Sequence, residues 1–253
     1  MPICSMHFPG ARNVPESKLI AGAKDLKGNE YSRTFVSLFA VNNLVSIYRE
    51  VGQLKATFAP PSAKPEATAN CKSGVELTIP VDEGYVYTWN KADWSGNSAL
   101  TVNELNAMLP VHAGRPVNGV KLDYAQREIE KAYGRKGFLL AQVKSQPEFD
   151  DQAQSVIYKM NVVEGPQFRM GRFTVSGFSE SEIKEIQSRW ELKPGDVYDD
   201  GYSEEFTKER LGEVLRNTFM QRQAQGKPAP TLKWGSKVDR KALTVDVTLE
   251  LSN

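Results

Sequence analysis

A twelve-residue pattern occurs twice in this chain and constrains its fold more than any other feature. Residues 47–58 read IYREVGQLKATF, and residues 132–143 read AYGRKGFLLAQV. Aligned on their tyrosines, the two segments share Tyr-x3-Gly-x-Leu-x-Ala. An internal repeat of this kind reports a duplicated structural unit, so the chain is expected to contain the same small fold more than once.

Repeated glycines give the number of units. Three leading glycines are each followed, 18 residues later, by a second glycine; the pairs are Gly10 and Gly28, Gly96 and Gly114, and Gly177 and Gly195. A glutamate–glycine pair ends VDEG at 81–84 and VVEG at 162–165. A period near 81 residues is too long for a solenoid and fits duplicated small domains. We therefore predict three domains, at residues 1–84, 85–165 and 166–253.

The third domain predicts the order of elements in one unit. Alternating apolar residues indicate strands, and apolar residues at helical spacing indicate helices. These patterns predict a strand at 168–177, a helix after a capping box of Ser179 and Glu182, a turn at Gly195, a helix at 203–223, and strands at 231–237 and 242–251. The predicted apolar face of the long helix comprises Leu211, Val214, Leu215 and Phe219. The unit is β-α-α-β-β, and the predicted fold class is α+β, with a three-stranded mixed sheet packed on two antiparallel helices.

The other two domains fit the same order. In the second domain we predict a strand at 86–95, helices at 101–109 and 121–135, and strands at 138–145 and 155–163. In the first, the second helix is predicted to bury Leu38, Val41, Val45 and Tyr48, and the last strand to alternate through Val75, Leu77, Ile79 and Val81. The repeated pattern is then a helix-to-strand corner. Tyr133 packs inward, Gly137 ends the helix, and Leu139 and Ala141 point into the core.

Composition argues against several functional classes. The formal net charge is +1, without the clustered basic excess of a nucleic-acid-binding protein. No apolar run is long enough to span a membrane, and no signal peptide is visible, so the chain is either cytoplasmic or an excised fragment of an exported protein. Two cysteines and two histidines make no convincing metal site, and no nucleophile elbow or nucleotide-binding loop is present. We therefore predict a protein that is not an enzyme and has no cofactor, in which the glutamate–glycine pairs are strand ends followed by turns.

Several of these segments together resemble the polypeptide-transport-associated (POTRA) domain. They are the strand ends FTVSG and ADWSG, the turn LKPGDVY, the corner AYGRKGFLLAQV and the closing VVEG. The resemblance covers essentially the whole chain and points to the POTRA repeats of the BamA and TamA outer-membrane assembly family. Two regions depart from the pattern. Gln223 stands where the third corner glycine is expected, and a Pro- and Ala-rich insert at 59–70 precedes a last strand that contains Pro80.

The resemblance implies a location and a sheet order. POTRA domains lie in the periplasm ahead of an outer-membrane β-barrel, so this chain would be a soluble fragment of a longer protein attached to the outer membrane. The second strand would lie at an edge beside the last strand, with the first strand parallel on the far side. Prolines near the second strands are tolerated only at such an edge; they are Pro60, Pro61, Pro228 and Pro230. The same order places Cys4 near Cys71, which predicts a disulfide; the alternative is two unpaired thiols.

The resemblance also implies a function. We predict a scaffold that binds unfolded outer-membrane proteins, accessory lipoproteins or periplasmic chaperones by β-augmentation at the second strands. The candidate contact residues are Leu140, Gln142, Lys144, Lys233 and Trp234. A structural spacer, a two-partner secretion transporter and a cell-division protein are the alternatives, because each could use the same fold.

Overall fold

The computed structural model describes residues 1–68, 71–226 and 228–252. Eight α-helices are present in this part of the chain: α1 Glu16–Gly22, α2 Arg33–Phe39, α3 Val45–Arg49, α4 Val102–Ala107, α5 Gly119–Arg135, α6 Glu180–Arg189, α7 Tyr202–Arg210 and α8 Gly212–Ala224. A 3-10 turn at Lys24–Leu26 and a π-helical turn at Ala40–Leu44 accompany them. Over the residues described, no helix has the length and apolar character needed to cross a membrane.

Eleven strands form four sheets in the same residues. The strands are β1 Ile3–His7, β2 Thr57–Phe58, β3 Ser62–Thr68, β4 Cys71–Thr78, β5 Val81–Asp82, β6 Thr88–Ser95, β7 Gln142–Asp150, β8 Ser155–Val163, β9 Arg169–Ser176, β10 Thr231–Asp239 and β11 Thr244–Ser252. Three sheets have three strands each, in the orders β1-β4-β3, β6-β8-β7 and β10-β11-β9, and β2 pairs with β5. The predicted α+β class is confirmed. The last strand of each repeat is central, with the first and second strands at the two edges.

The chain divides into two compact units. The first comprises Met1–Asp93, Asn106–Gln126 and Ser145–Met160, and the second comprises Trp94–Leu105, Arg127–Lys144 and Asn161–Asn253. The first unit has a core of apolar residues from β1, β4 and the helices between them, among which Leu19, Leu26, Leu44 and Leu77 are fully buried. The third repeat, in the second unit, builds its core around Ile186, Phe206, Leu211 and Leu249. The domain boundaries predicted from the sequence repeat, after residues 84 and 165, remain predictions.

One turn has the same hydrogen bonds in all three repeats. Early in β1, Ile3 donates its N–H to Asn29 and accepts the N–H of Gly28 at 2.9 Å each. Trp89 makes the matching pair with Arg115 and Gly114, and Met170 makes it with Asp196 and Gly195. These glycines have positive φ angles of 83°, 71° and 93°, which favour glycine over residues with a Cβ. The fixed spacing in the sequence therefore reports a turn that covers the start of each first strand.

The buried face of the second helix in the first repeat differs from the prediction. Leu38 and Val41 were expected in the core, but their exposed fractions are 57% and 59%. Val36, Ala40 and Leu44 are buried instead. The π-helical turn adds one residue, so helical spacing counted back from the buried Tyr48 falls on the wrong face.

The third repeat also differs in its helices. The predicted helix at 203–223 is divided into α7 and α8, and Phe219 is 39% exposed, while Val214 and Thr218 face the core. The corner glycine is displaced rather than missing. Gly226 has a φ of 66° and donates its N–H to Gln223, as Gly137 does to Gly134. The extra helical residues after Phe219 account for the shift.

The predicted insert at 59–70 is largely a strand. It contains β3, and Pro80 lies between β4 and β5, where it interrupts no strand. Pro60, Pro61, Pro228 and Pro230 precede the second strands rather than lying in them. In the second repeat β7 begins at Gln142, so Leu139, Leu140 and Ala141 belong to the preceding turn. Residues 69 and 70 of the insert lie outside the described part of the chain.

Candidate functional site at the sheet edges

Among the residues that the structure describes, the outer edge of β10 has main-chain groups without a partner strand, and the register shows which ones. Arg169 donates its N–H to the carbonyl of Leu243 at 2.9 Å, which turns the odd-numbered residues of β11 toward β9. The even-numbered residues of β11 therefore face β10, because main-chain groups alternate in direction along a strand. Their partners on β10 include Thr231, Lys233, Gly235 and Lys237. The N–H and C=O groups of Leu232, Trp234, Ser236 and Val238 consequently point away from the sheet.

The two predicted contact residues on β10 have different positions. Lys233 has an exposed side chain, but its main chain faces β11 through its pairing with Glu250. Trp234 has its main chain at the open edge, and its side chain packs against Phe173 and Trp190 with ring centroids 6.1 and 5.9 Å away. Its indole N–H donates to Thr207 Oγ1 at 3.0 Å. An added strand could therefore pair with the Trp234 backbone, while the indole serves the core.

The outer edge of β7 is partly closed. The N–H of Val143 donates to Glu130 Oε1 at 2.9 Å, which shows that Val143 faces away from the sheet. By the same alternation Ser145, Pro147 and Phe149 face outward, and proline has no N–H to donate. The predicted residues Gln142 and Lys144 have exposed side chains, but their main-chain groups face the central strand. Leu140 is exposed and precedes the strand. This edge therefore offers fewer donors than the edge of β10.

The edge strand β3 also carries a proline. Ile79 donates its N–H to His7, so the odd-numbered residues of β4 face β1 and the even-numbered ones face β3. Pro65 pairs with Val75, which places Pro65 outward. The prolines inside β3 and β7 thus both lie at outward positions, where no hydrogen bond within the sheet is lost. An incoming strand would find no N–H donor at either proline.

Cys4 and Cys71 are joined by a disulfide bond. Cys4 lies in β1 and Cys71 begins β4, and their Cα atoms are 5.9 Å apart. The bond closes a loop of 67 residues in the first unit. On the chain-entropy estimate, a loop of that length stabilises the fold by roughly 4 kcal/mol. Oxidised cysteines are typical of proteins that work outside the cytosol.

The glutamate–glycine pairs follow strand ends, as predicted, and their carboxylates also anchor loops. The Glu83 carboxylate accepts the backbone N–H groups of Arg12, Asn13 and Val14. Burial favours the neutral form of Glu83, but these hydrogen bonds outweigh burial and lower its pKa. Glu164 accepts the N–H groups of Ser98 and Ala99 in the same way. These contacts are structural. Over the residues described, no cluster of His, Cys, Asp or Glu could hold a metal ion.

The repeated corner joins consecutive repeats, a role that the sequence reading missed. Gly52 accepts the N–H of Tyr87 at 2.8 Å, and Gly137 accepts the N–H of Phe168 at 2.8 Å. Both aromatic side chains are fully buried. The sequence contains one indication of this contact, because an aromatic residue lies nine positions before two of the leading glycines: Tyr87 before Gly96 and Phe168 before Gly177.

Sequence comparisons show which known proteins the chain is similar to. Residues 87–165 match the sequence model of the POTRA family, described as a surface antigen variable number repeat. A protein of Treponema pallidum (strain Nichols), named as an outer membrane protein assembly factor, is 26% identical over 177 residues. That match includes 70% of this chain and 20% of the relative, so the chain spans about a fifth of the relative's length.

The fold is shared with a solved structure. The crystal structure of BamA POTRA domains 3–5 from Haemophilus influenzae superposes with a TM-score of 0.59. The superposition covers 100% of this chain and 96% of the other at 18% sequence identity, which shows the fold alone. Residues 87–165 therefore match the POTRA family, and the chain as a whole has the fold of the BamA POTRA region.

Proposed function

We propose that this chain belongs to the periplasmic POTRA region of an outer-membrane protein assembly factor and receives extended client strands at the edge of β10. The observation that carries the proposal is the row of outward main-chain groups from Leu232 to Val238. Strand addition pairs these groups with a client backbone and places few demands on the client's sequence. Such a site suits the unfolded strands of many different outer-membrane proteins, and also an extended segment of an accessory lipoprotein or chaperone.

The composition of β10 favours it over β7 and β3. Its sequence, TLKWGSKVD, contains no proline, and all nine of its residues pair with β11, which makes the strand continuous. Lys233 and Lys237 hold exposed positive charge beside the edge, which discourages uncontrolled pairing between copies of the chain. Each main-chain hydrogen bond to a client contributes about 0.5–1.5 kcal/mol net, less the cost of ordering the client. One edge should therefore bind weakly, and several sites in a full-length protein would add avidity.

An NMR titration tests the proposal. The ¹⁵N-labelled chain is titrated with a ten-residue peptide that alternates apolar and polar residues, and we expect fast-exchanging shifts at residues 231–239. Ser236→Pro removes an outward N–H and should abolish these shifts. Val238→Pro, at the position that Pro65 occupies in the first repeat, is the matched variant for folding and should reduce them less. Unchanged spectra at millimolar peptide would contradict strand addition here.

A spacer function is the second candidate, and one observation favours it. The corners tie consecutive repeats by main-chain hydrogen bonds, and in the first unit Arg49 adds a paired contact with Asp123 at 2.7 and 2.9 Å. Connections of this kind between consecutive repeats are what a spacer would require. If the full-length protein carrying Ser236→Pro assembled outer-membrane proteins normally, and a corner variant did not, the spacer function would be preferred.

A further inference from the structure

A cleft at the opposite edge of the third sheet is not explained by strand addition to β10. It lies in the second compact unit, between β9 and the loop that follows α6, and has a volume of about 390 Å³. Its lining comprises Arg172, Phe173, Thr174, Gln187, Trp190, Leu192, Lys193 and Pro194. The loop covers β9 at Met170 through hydrogen bonds with Gly195 and Asp196. The cleft lies beside the following residues of β9, Arg172 to Thr174.

The floor of the cleft is an aromatic stack. The rings of Phe173 and Trp190 are 3.9 Å apart at 15°, and both residues are only partly buried. The Trp190 indole N–H donates to the Leu192 carbonyl at 2.8 Å, which fixes the orientation of the ring. A partly exposed and preoriented apolar surface favours contact with an apolar side chain, since little side-chain entropy remains to be lost.

The backbone of Phe173 faces the cleft. The register between β9 and β11 shifts by one residue, after which Phe173 lies opposite Val247. Met6 holds the same place in the first repeat, opposite Leu77 after the same shift. There the carbonyl of His7 faces β4, so the alternation turns the main chain of Met6 outward. The N–H and C=O of Phe173 are therefore oriented toward an incoming chain.

The rim of the cleft is positively charged. The Arg172 side chain is 84% exposed, and its contact with Asp246 at 3.2 Å uses one side of a guanidinium that carries five N–H groups. Lys193 is exposed on the facing loop. Two of the residues that line the cleft are cationic and none is anionic. The complementary ligand is an anion held next to an apolar group.

The second repeat contains the same cleft without the stack. It has a volume of about 300 Å³, and five of its lining residues lie 81 positions before residues of the β9 cleft: Lys91, Ala92, Asn106, Leu109 and Val111. Trp89 and Asn90 also line it. Alanine and leucine thus occupy the places of Phe173 and Trp190, and Lys91 is paired with Asp93 at 2.8 Å. The repeated fold accordingly forms this cleft without an aromatic pair at these two positions, so the Phe173–Trp190 stack in the third repeat is an additional feature.

We infer that the β9 cleft binds an extended peptide segment in which an aromatic or large aliphatic side chain lies next to an acidic residue. The apolar side chain rests on the Phe173–Trp190 stack, and the carboxylate contacts Arg172 and Lys193. The peptide backbone pairs with Phe173. This site is at the opposite edge from β10 and does not rest on the function proposed above.

Two peptides test the inference on the ¹⁵N-labelled chain. Acetyl-Thr-Phe-Asp-Phe-Thr-amide should shift the amides of residues 172–175 and the Trp190 indole N–H signal. Acetyl-Thr-Phe-Lys-Phe-Thr-amide should bind much more weakly. The double variant Arg172→Gln with Lys193→Gln should lower the affinity for the acidic peptide about tenfold, because both changes remove a charge at the rim. Lys91→Gln, in the equivalent cleft of the second repeat, is the matched control and should leave the affinity unchanged.

The outcomes separate this site from the edge of β10. Equal binding of the two peptides, or an unchanged affinity in the double variant, would overturn the role of the charged rim. Shifts confined to residues 231–239 would support strand addition to β10 and overturn a site at β9. If sodium benzoate alone gave the same shifts and displaced the acidic peptide at equal concentration, the cleft would bind small aromatic acids, and the peptide assignment would be wrong.

Discussion

The two copies of the Tyr-x3-Gly corner make the same main-chain connection and differ in their side chains. Gly52 and Gly137 both lie in the turn that follows a helix and have a positive φ, and both accept an N–H from the next repeat at 2.8 Å. Beside the first corner, Arg49 binds Asp123 with two hydrogen bonds, and this pairing raises the pKa of the guanidinium. Beside the second, Arg135 lies 3.4 Å from Glu205 and 4.0 Å from Asp199.

A second charged contact strengthens the first corner. Lys55 pairs with Asp151 at 2.6 Å and lies 5.3 Å from the centre of the Tyr87 ring, whose hydroxyl also donates to Asp151. Two hydrogen bonds lower the pKa of the Asp151 carboxyl, of which the one from Lys55 has the larger effect and the one from Tyr87 the smaller. The main-chain connection is the same at both corners, and charged side chains make shorter contacts beside the first corner than beside the second. Substitutions at the glycines should consequently cost more than substitutions at the charges.

The largest effect is expected from Gly137→Ala. A new Cβ would lie 2.7 Å from the Phe168 carbonyl oxygen, at a φ that L residues rarely adopt. We expect a loss of about 3 kcal/mol in the free energy of unfolding, measured by denaturant titration, with faster hydrogen exchange at the Phe168 amide. Gly52→Ala should cost less, since the nearest atom to its Cβ is 3.1 Å away.

Gly195→Ala is the matched control for both corner variants. Gly195 also has a positive φ, but a Cβ there would meet no atom within 4 Å. It should cost only about 1 kcal/mol, the strain of the backbone conformation. Equal losses for Gly137→Ala and Gly195→Ala would show that the close approach of the next repeat contributes nothing.

The sequence predicted the repeat, the order of the elements and the inward position of Tyr133, because these follow from periodicity and from residue types. It did not predict that the corner glycine accepts an N–H from the next repeat, since this bond depends on how the chain returns 31 residues later, from Gly137 to Phe168. The same limit applies to the edge residues. Alternation assigns side chains to two faces of a strand, but only the observed register shows whether Lys233 or Trp234 turns its backbone outward.

That correction changes which proline substitutions are informative. Gln142 and Lys233 are contact residues predicted from the sequence, but their N–H groups face the central strands. Proline at either place would break the sheet as well as any client contact, so a loss of function would have two explanations. Proline at Ser236 avoids this ambiguity, because the N–H that it removes points away from the sheet. The buried face of the second helix in the first repeat was also mispredicted, because no residue type indicates a π-helical turn.

An intermediate effect is expected from Arg49→Gln. The substitution removes the two hydrogen bonds to Asp123 and a third, at 3.3 Å, to the Gly119 carbonyl. Both side chains are partly exposed, so we expect a loss of about 1 kcal/mol in the free energy of unfolding. The loss should shrink as salt is added, which a denaturant series at two ionic strengths would measure. An effect independent of salt would point to packing of the arginine stem rather than to its charge.

The smallest effect is expected from Arg135→Gln at the second corner. The Arg135 side chain is 53% exposed, its shorter carboxylate contact is 3.4 Å, and solvent screens both partners. Exposed ion pairs of this geometry contribute about 0–0.5 kcal/mol, so the free energy of unfolding should be nearly unchanged at any salt concentration. A loss as large as that of Arg49→Gln would contradict the comparison between the corners. It would mean that the charged contacts around Arg135 hold the second junction as firmly as the paired arginine holds the first, and that the longer distances understate their contribution.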